Sequence, residues 1–286
     1  MSLVIKDVSK KYKEKAAISD ITLTFEPQKI YGLLGRNGAG KSTLLNIIAN
    51  RNFSTSGTIC LDNQPITDQE PQLNRIYLMS EDNLFPGNMK VHTIFKVTET
   101  FYGTFDWQLA EQMIIDFDVN QALSFRKLST GYRSIVKLIT ALCVPCDYIF
   151  LDEPVLGLDA THRDLFYEYL LDSYGARSRT FIISTHLIEE IANIIEEVVF
   201  IDDGKVIQND STENILAQIR VIKGPQEIFT SFSDDLEILA NQSFGGSMTA
   251  YVKWPFDVAL PSEITVEKVS LQEYFIQLTK RKRGSI

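Results

Sequence analysis

Hydrophobic positions change their period several times along this chain, and each change predicts an element. Leu3 to Val8 is apolar-rich, and Ile21, Leu23 and Phe25 alternate with Thr22, Thr24 and Glu26. This period of two predicts half-buried strands in an antiparallel sheet at the start of the fold. Ile30 to Leu34 is a short apolar run ending in a Gly-rich turn, after which Ser42 to Ala49 carries Leu44, Leu45, Ile47 and Ile48 at helical spacing. Thr58 to Leu61, closed by Asp62-Asn63, predicts another strand and turn. Spacing from about residue 90 to 146 is mainly helical, with Ile135, Leu138, Ile139 and Leu142 forming one apolar helix face. Tyr148 to Leu151 and Phe181 to Ile183 are continuous apolar runs suited to buried parallel strands, separated by a helical stretch at 161–174. That alternation predicts a right-handed βαβ core. Beyond Gly204, Ile219 to Ile222 and Met248 to Val252 predict short strands, and Ser270-Leu-Gln-Glu273 is a capping-box start for a helix carrying Tyr274, Phe275 and Leu278.

Composition narrows the class. The 286 residues are 44% hydrophobic and 23% charged, ordinary values for a globular chain long enough to bury its own core. A net charge of −9 argues against a partner that must be neutralised phosphate by phosphate, so no nucleic acid is expected. No apolar run reaches the roughly 18 residues of a bilayer span, and Met1-Ser2-Leu3 leads into charged residues rather than a secretory segment. A cytoplasmic chain is therefore expected. Three cysteines are too few for a disulfide framework. Cys143-Val-Pro-Cys146 lies between an apolar helix and a buried strand, which favours packing over redox or zinc chemistry.

Two segments carry recognisable chemistry. Gly35-Arg36-Asn37-Gly38-Ala39-Gly40-Lys41-Ser42-Thr43 satisfies G-x-x-x-x-G-K-[ST] between a predicted strand and a predicted helix. Its glycines let backbone N–H groups curl around phosphates, the helix N-terminus adds positive dipole, Lys41 reaches the outer phosphates and the Ser42 hydroxyl can ligate Mg²⁺. The second segment is Asp152-Glu153, which closes the apolar run Tyr148-Ile-Phe-Leu151. Asp152 is the expected metal anchor, and Glu153 is placed to orient or deprotonate an attacking water.

Between these two segments, Leu128-Ser129-Thr130-Gly131-Tyr132 is similar to the L-S-G-G-Q signature of the ATP-binding cassette family. The order of phosphate loop, signature, Asp152-Glu153, Gly157-Leu158-Asp159 and Ser184-Thr185-His186 resembles that family over residues 1–208. The resemblance implies an α/β fold: a P-loop NTPase core with an N-terminal antiparallel β subdomain and a helical signature subdomain at about 83–146. Residues 209–286 are then expected to form a small C-terminal α/β appendage. It further implies an ATPase that dimerises head to tail with a second cassette, identical or different. ATP on one phosphate loop is then clamped by Ser129 and Gly131 of the other subunit. His186 would contact the γ-phosphate, Asp159 would lie at the dimer seam, and Tyr12 resembles the aromatic that stacks on adenine. The implied partners are separate membrane-spanning permease subunits, which would place the chain on the inner face of the membrane.

Departures from the family pattern shape the remaining expectations. Where the family carries a Gln near Mg²⁺, this chain reads Tyr77-Leu-Met-Ser80-Glu81-Asp82, so Ser80 or Glu81 must substitute. Thr130 and Tyr132 replace a Gly and the Gln of the signature. The tail Val266 to Phe275 resembles the last segment of exporter-type cassettes, and L-S-T-G resembles the form in small bacterial cassettes that export peptides or resist antimicrobial ones. Export is therefore the expected direction. Two alternatives stand beside it: a nucleotide-sensing, non-hydrolytic subunit of an asymmetric dimer, and a soluble cassette acting on ribosomes or DNA. His92 and His162 are expected at the surface, and Lys280 to Arg283 as a solvated basic tail.

Overall fold

The computed structural model describes residues 2–66, 71–229, 232, 235–255, 257 and 259–283. Its first elements are β1 (Leu3–Tyr12), β2 (Lys15–Phe25), β3 (Ile30–Leu34), α1 (Lys41–Ile48), β4 (Ser56–Leu61), β5 (Gln64–Pro65) and β6 (Ile76–Met79). Then come α2 (Val91–Tyr102), α3 (Trp107–Asp116), α4 (Thr130–Cys143), β7 (Tyr148–Asp152), α5 (Ala160–Ala176), β8 (Thr180–Thr185), α6 (Ile188–Ile191), β9 (Glu197–Asp202) and β10 (Lys205–Ser211). The last are α7 (Thr212–Ala217), β11 (Ile219–Pro225), α8 (Gln226–Phe229), β12 (Ile238–Phe244), β13 (Ser247–Lys253), β14 (Thr265–Lys268) and α9 (Leu271–Arg283). These elements fall into two compact units, one of residues 1–186 with 199–208, the other of 187–198 with 209–286. No helix among the described residues is long and apolar enough to cross a membrane.

In the first unit, β2, β1, β4 and β5 form a four-stranded antiparallel sheet. Strict alternation would turn Asp7 inward after Leu3 and Ile5. Instead the register shifts between Ile5 and Val8, and Asp7 takes a positive φ of 52°. This bulge returns Val8 to the core and leaves Asp7 in solvent. A six-stranded sheet in the order β10-β9-β3-β8-β7-β6 lies beside it, with β3, β8, β7 and β6 parallel. Every residue of those four strands is buried, as the apolar runs Tyr148–Leu151 and Phe181–Ile183 predict for β7 and β8; β6 joins them as a strand that the hydrophobic period does not single out. Leu3, Ile5 and Phe25, the α1 residues Leu44, Leu45 and Ile48, and Phe150, Ile182 and Ile201 share one core.

The register of the parallel strands sets the site. Leu34 pairs with Thr185, Asp152 with Ser184, and Met79 with Leu151, so four neighbouring strands end level. The segments starting at Gly35, Ser80, Glu153 and His186 therefore leave the sheet along one edge, where α/β sheets bind ligands.

Helix α4 departs from the expected single apolar face. From Ser134 to Cys143 every residue is buried, because the helix packs on α2, α3, α5 and strands β6 and β7 together. Cys143 and Cys146 are buried packing residues. The Cys146 thiol donates to the Asn74 carbonyl at 3.3 Å, and burial pushes its pKa up to about 12, which keeps it an inert thiol.

The second unit is built on a four-stranded antiparallel sheet, β12-β13-β11-β14. Alternation along β11 and β13 sends Ile222, Ala250 and Val252 into one cluster and Ile219, Val221 and Tyr251 into another, so both faces are covered. The capping box forms as the sequence predicts: Ser270 N donates to Glu273 Oε2 at 3.0 Å and Glu273 N to Ser270 Oγ at 3.2 Å. Of the expected basic tail, Lys280 is exposed, and the side chains of Arg281, Lys282 and Arg283 lie outside the described residues.

Candidate functional site

Residues 35–40 join β3 to α1 through a turn that only glycine permits at its end. Gly40 has φ +107°, and a Cβ there would lie 2.7 Å from the Ala17 carbonyl oxygen and 2.8 Å from Ile18 Cγ2. No side chain caps α1 and no acidic residue sits in its first turn, so its leading N–H groups and dipole are left for an anion. They open on a cleft of about 480 Å³ lined by Tyr12, Lys15, Ala16, Ala17, the run Asn37 to Thr43, Glu81, Glu153, Asp203 and Gly204. Gly35 and Arg36 contribute from behind the cleft. Their carbonyls accept from Lys41 Nζ at 2.8 and 3.4 Å.

Lys41 is only 6% exposed and lies 3.8 Å from Glu153 Oε1. Burial lowers its pKa, while the charges of Glu153 and Asp152 oppose that shift and hold the ammonium in place. Asp152 ends β7 with its Oδ1 accepting from Ser184 Oγ at 2.8 Å. Burial raises the Asp152 pKa, and hydrogen bonds from Ser42 and Ser184 counter part of it. A buried carboxylate beside a serine hydroxyl is an all-oxygen pair that gains from a divalent cation. The residues fit Mg²⁺, with Ser42 and Asp152 as the donors at hand.

Glu153 takes a left-handed φ of 47°, a conformation costly for a residue with a side chain and held by its surroundings. Its N–H donates to the Ser184 carbonyl at 2.8 Å. Its Oε2 accepts from Thr185 Oγ1 at 2.9 Å, and its Oε1 accepts from His186 N at 3.1 Å and meets His186 Nδ1 at 2.9 Å. Sequence neighbours of two parallel strands thus fix one carboxylate at the mouth of the phosphate cleft.

The structure separates Ser80 from Glu81. Ser80 is buried, and its Oγ accepts from Asp82 N at 3.2 Å. Glu81 is exposed and lines the cleft, so the carboxylate rather than the hydroxyl faces the phosphate loop. Tyr12 also lines the cleft, 48% exposed, with Lys10 Nζ 5.1 Å from its ring centre and its hydroxyl accepting from Asn52 Nδ2.

Ser129, Gly131 and Asp159 are not among the residues lining this cleft. Ser129 is the N-cap of α4, its Oγ accepting from Tyr132 N at 3.3 Å. Asp159 caps α5 by accepting from His162 N at 2.9 Å, and its other oxygen meets His162 Nδ1 at 2.8 Å. The two turns touch: a Cβ on Gly131 would lie 3.1 Å from the Gly157 carbonyl, and the Tyr132 ring meets the His162 ring edge-on at 6.3 Å. His92 is exposed as expected. His162 is only half-exposed, because it stacks on Phe117 at 5.8 Å.

Sequence reasoning missed Lys137. It is buried on α4 and donates from Nζ to the carbonyls of Ser80 at 3.0 Å and Glu81 at 2.8 Å. The available signal was a lysine inside the mostly apolar run from Ile135 to Leu142.

Comparison with known proteins places this geometry in a family. Residues 18–156 match the model described as ABC transporter. A Nod factor export ATP-binding protein I of Cupriavidus metallidurans is 27% identical over 98% of this chain and 97% of its own length. A probable sulfate/thiosulfate import ATP-binding protein CysA of Chlorella vulgaris is 29% identical over 75% of this chain and 93% of its own. Among solved structures, the dimeric structure of MJ0796, a bacterial ABC transporter cassette, superposes with a TM-score of 0.66 at 21% identity. It covers 73% of this chain and 98% of that one, a likeness of fold. The phosphate loop, the buried Asp152 and the strand-end Glu153 all fall within residues 18–156, the stretch of this chain that matches the ABC transporter model.

Proposed function

We propose that the chain is the ATP-hydrolysing subunit of an exporter. In this reading residues 1–208 act as the cassette and 209–286 as an appendage. It closes against a second cassette around two ATP molecules and drives separate membrane-spanning subunits from the cytoplasmic face. The observation that carries hydrolysis is the Glu153 carboxylate, fixed by Thr185 and His186 and 3.8 Å from the buried Lys41 ammonium. In the mechanism, the N–H groups of Gly38 to Thr43 and Lys41 bind the phosphates, and Tyr12 stacks on the base. Ser42 and Asp152 would hold Mg²⁺, with Glu81 as a third oxygen donor on the cleft. The metal supplies charge neutralisation on the phosphate oxygens. Glu153 accepts the proton of the attacking water, and His186, anchored on Glu153, reports on the γ-phosphate position.

Dimerisation is supported by what the signature turn lacks. Ser129 and Gly131 offer a helix N-terminus to an anion, yet they stand outside the cleft of their own chain. Asp159, beside them, is then placed at the seam. Export is supported by the tail from Val266 to Phe275 and by a relative of export function, the Nod factor export protein, that matches through the second unit over 98% of this chain.

Steady-state Mg-ATP hydrolysis by the purified chain over a range of protein concentrations tests the reading, with Glu153→Gln as control. Specific activity that rises with concentration and vanishes in the variant supports a self-assembled composite site. Activity unchanged by Glu153→Gln overturns the assignment of Glu153. Co-purification with a multi-span membrane protein tests the transporter partner.

A further inference from the structure

Lys137 poses a physical question. Its ammonium is 7% exposed, and no carboxylate among the described residues comes within ion-pair distance. Burying a cation costs several kcal/mol unless its hydrogen bonds are well made. An apolar residue at this point of α4 would avoid that cost. What Lys137 obtains instead is two backbone carbonyls, Ser80 and Glu81, at 3.0 and 2.8 Å. Both follow β6, the edge strand of the six-stranded sheet, just where its pairing with β7 has ended at Met79. Within the turn Asp82 N donates to Ser80 Oγ, the β6–β7 ladder reaches no further than Met79, and the Glu81 carboxylate lines the phosphate cleft. Burial lowers the Lys137 pKa, and the nearby charges of Glu81 and Asp82 oppose that shift, so the ammonium and the acidic turn hold one another. The same helix begins at Ser129, the residue proposed to read ATP held by the second cassette.

We propose that Lys137 is a positioning residue that ties α4 to the Ser80–Glu81 turn and thereby sets where the Glu81 carboxylate stands over the metal side of the ATP site. The signature helix and the metal side of the cleft are then mechanically one piece. A displacement of α4 by a closing partner moves Glu81 with it. This inference rests on the assignment of Glu81 given above.

The test reads Mg²⁺-dependent binding of a fluorescent ATP analogue, mant-ATP, to the full chain, independently of turnover. The variants are Lys137→Met, Lys137→Gln, Glu81→Gln and the double variant Lys137→Met/Glu81→Gln. In EDTA the two single Lys137 variants bind mant-ATP as the parent does, because Lys41 and its loop are intact. With Mg²⁺, Lys137→Met raises the concentration for half-maximal binding about tenfold, the low end for loss of a group supporting a metal ligand. Lys137→Gln, which keeps N–H donors on a shorter arm, lies between it and the parent. It also serves if the Met variant does not fold. Glu81→Gln raises the requirement as well, and the double variant adds little to it, because both changes act through one group. Full additivity of the two effects overturns the tie, as does an unchanged Mg²⁺ requirement in both Lys137 variants while Glu81→Gln shifts it. An unchanged requirement in Glu81→Gln overturns the Glu81 assignment itself, and the tie with it. Neither result touches Glu153, whose assignment stands or falls on hydrolysis.

Discussion

At the phosphate cleft, Lys41 from the start of α1 meets Asp152 and Glu153 from the end of β7; all three are nearly buried, and the two carboxylates are held by Ser184, Thr185 and His186, more than thirty positions away. At the signature turn, Ser129 and Asp159 stand exposed, and each uses its side chain to cap its own helix. The first arrangement concentrates charge where water is scarce and electrostatic interactions are strong. The second is locally satisfied and offers only a helix N-terminus outward. One half-site is chemically complete apart from its ligands, and the other has no cleft of its own. On the function proposed above, such a cassette is finished by another copy or another chain.

The sharpest break of that comparison is at Glu153. Glu153→Gln keeps the size and the oxygen acceptor but loses the base, so turnover falls by about 10²–10⁴ while ATP binding persists. Single-turnover hydrolysis and mant-ATP binding check the two halves of the statement. A variant that loses both points to collapse of the strained turn at φ 47° rather than to loss of a base.

At the signature turn, Ser129→Gly separates capping from anion binding. Glycine is a tolerable N-cap and costs α4 only a few tenths of a kcal/mol. Loss of a donor aimed at transition-state charge costs about 10²–10³ in rate. The expected outcome is a near-parental melting temperature, unaltered mant-ATP binding to the isolated chain and turnover lowered by that factor. If turnover is parental, Ser129 serves α4 alone.

Asp152 gives a smaller effect, of opposite sign in two measurements. Its pKa is raised by burial, so the carboxyl contributes stability below its ordinary value, near 3.9, and that contribution is lost as pH rises through the raised value. At neutral pH the ionised group therefore burdens the fold. Asp152→Asn is expected to raise the melting temperature without nucleotide and to abolish the added stabilisation from Mg-ATP. Thermal melts with and without Mg-ATP read both.

How these regions showed in the sequence follows from where their partners lie. The phosphate loop and the Asp152-Glu153 pair are contiguous, with glycines forced by backbone geometry and carboxylates closing an apolar strand, so residue types alone disclosed them. The parallel strands β7 and β8 were legible for the same reason: burial on both faces leaves an unbroken apolar run. The choice between Ser80 and Glu81 was not legible, because a single step along the turn beyond β6 decides which side chain meets the cleft. Lys137 was hidden by the opposite problem. Its partners are carbonyls more than fifty positions away, and backbone acceptors carry no residue signature. The bulge at Asp7 and the fully buried circumference of α4 likewise depend on neighbours that no local period encodes.

The mildest test concerns Asp159, where the two readings of an exposed cap part company. Its carboxyl is held below the ordinary aspartate range by hydrogen bonds from the His162 backbone and ring. A depressed value means that its stabilising effect is present above pH 4 or so and is lost as pH falls through the lower folded-state value. Asp159→Asn keeps an oxygen to cap α5 and removes the charge that meets His162. Melting temperature measured against pH should then match the parent at strongly acid pH and fall slightly below it above about pH 4. If turnover drops by much more than that slight loss of stability accounts for, Asp159 acts across the seam as well as on its own helix. If turnover keeps pace with stability, the aspartate is a cap, and the signature surface reaches its partner through Ser129 and Gly131 alone.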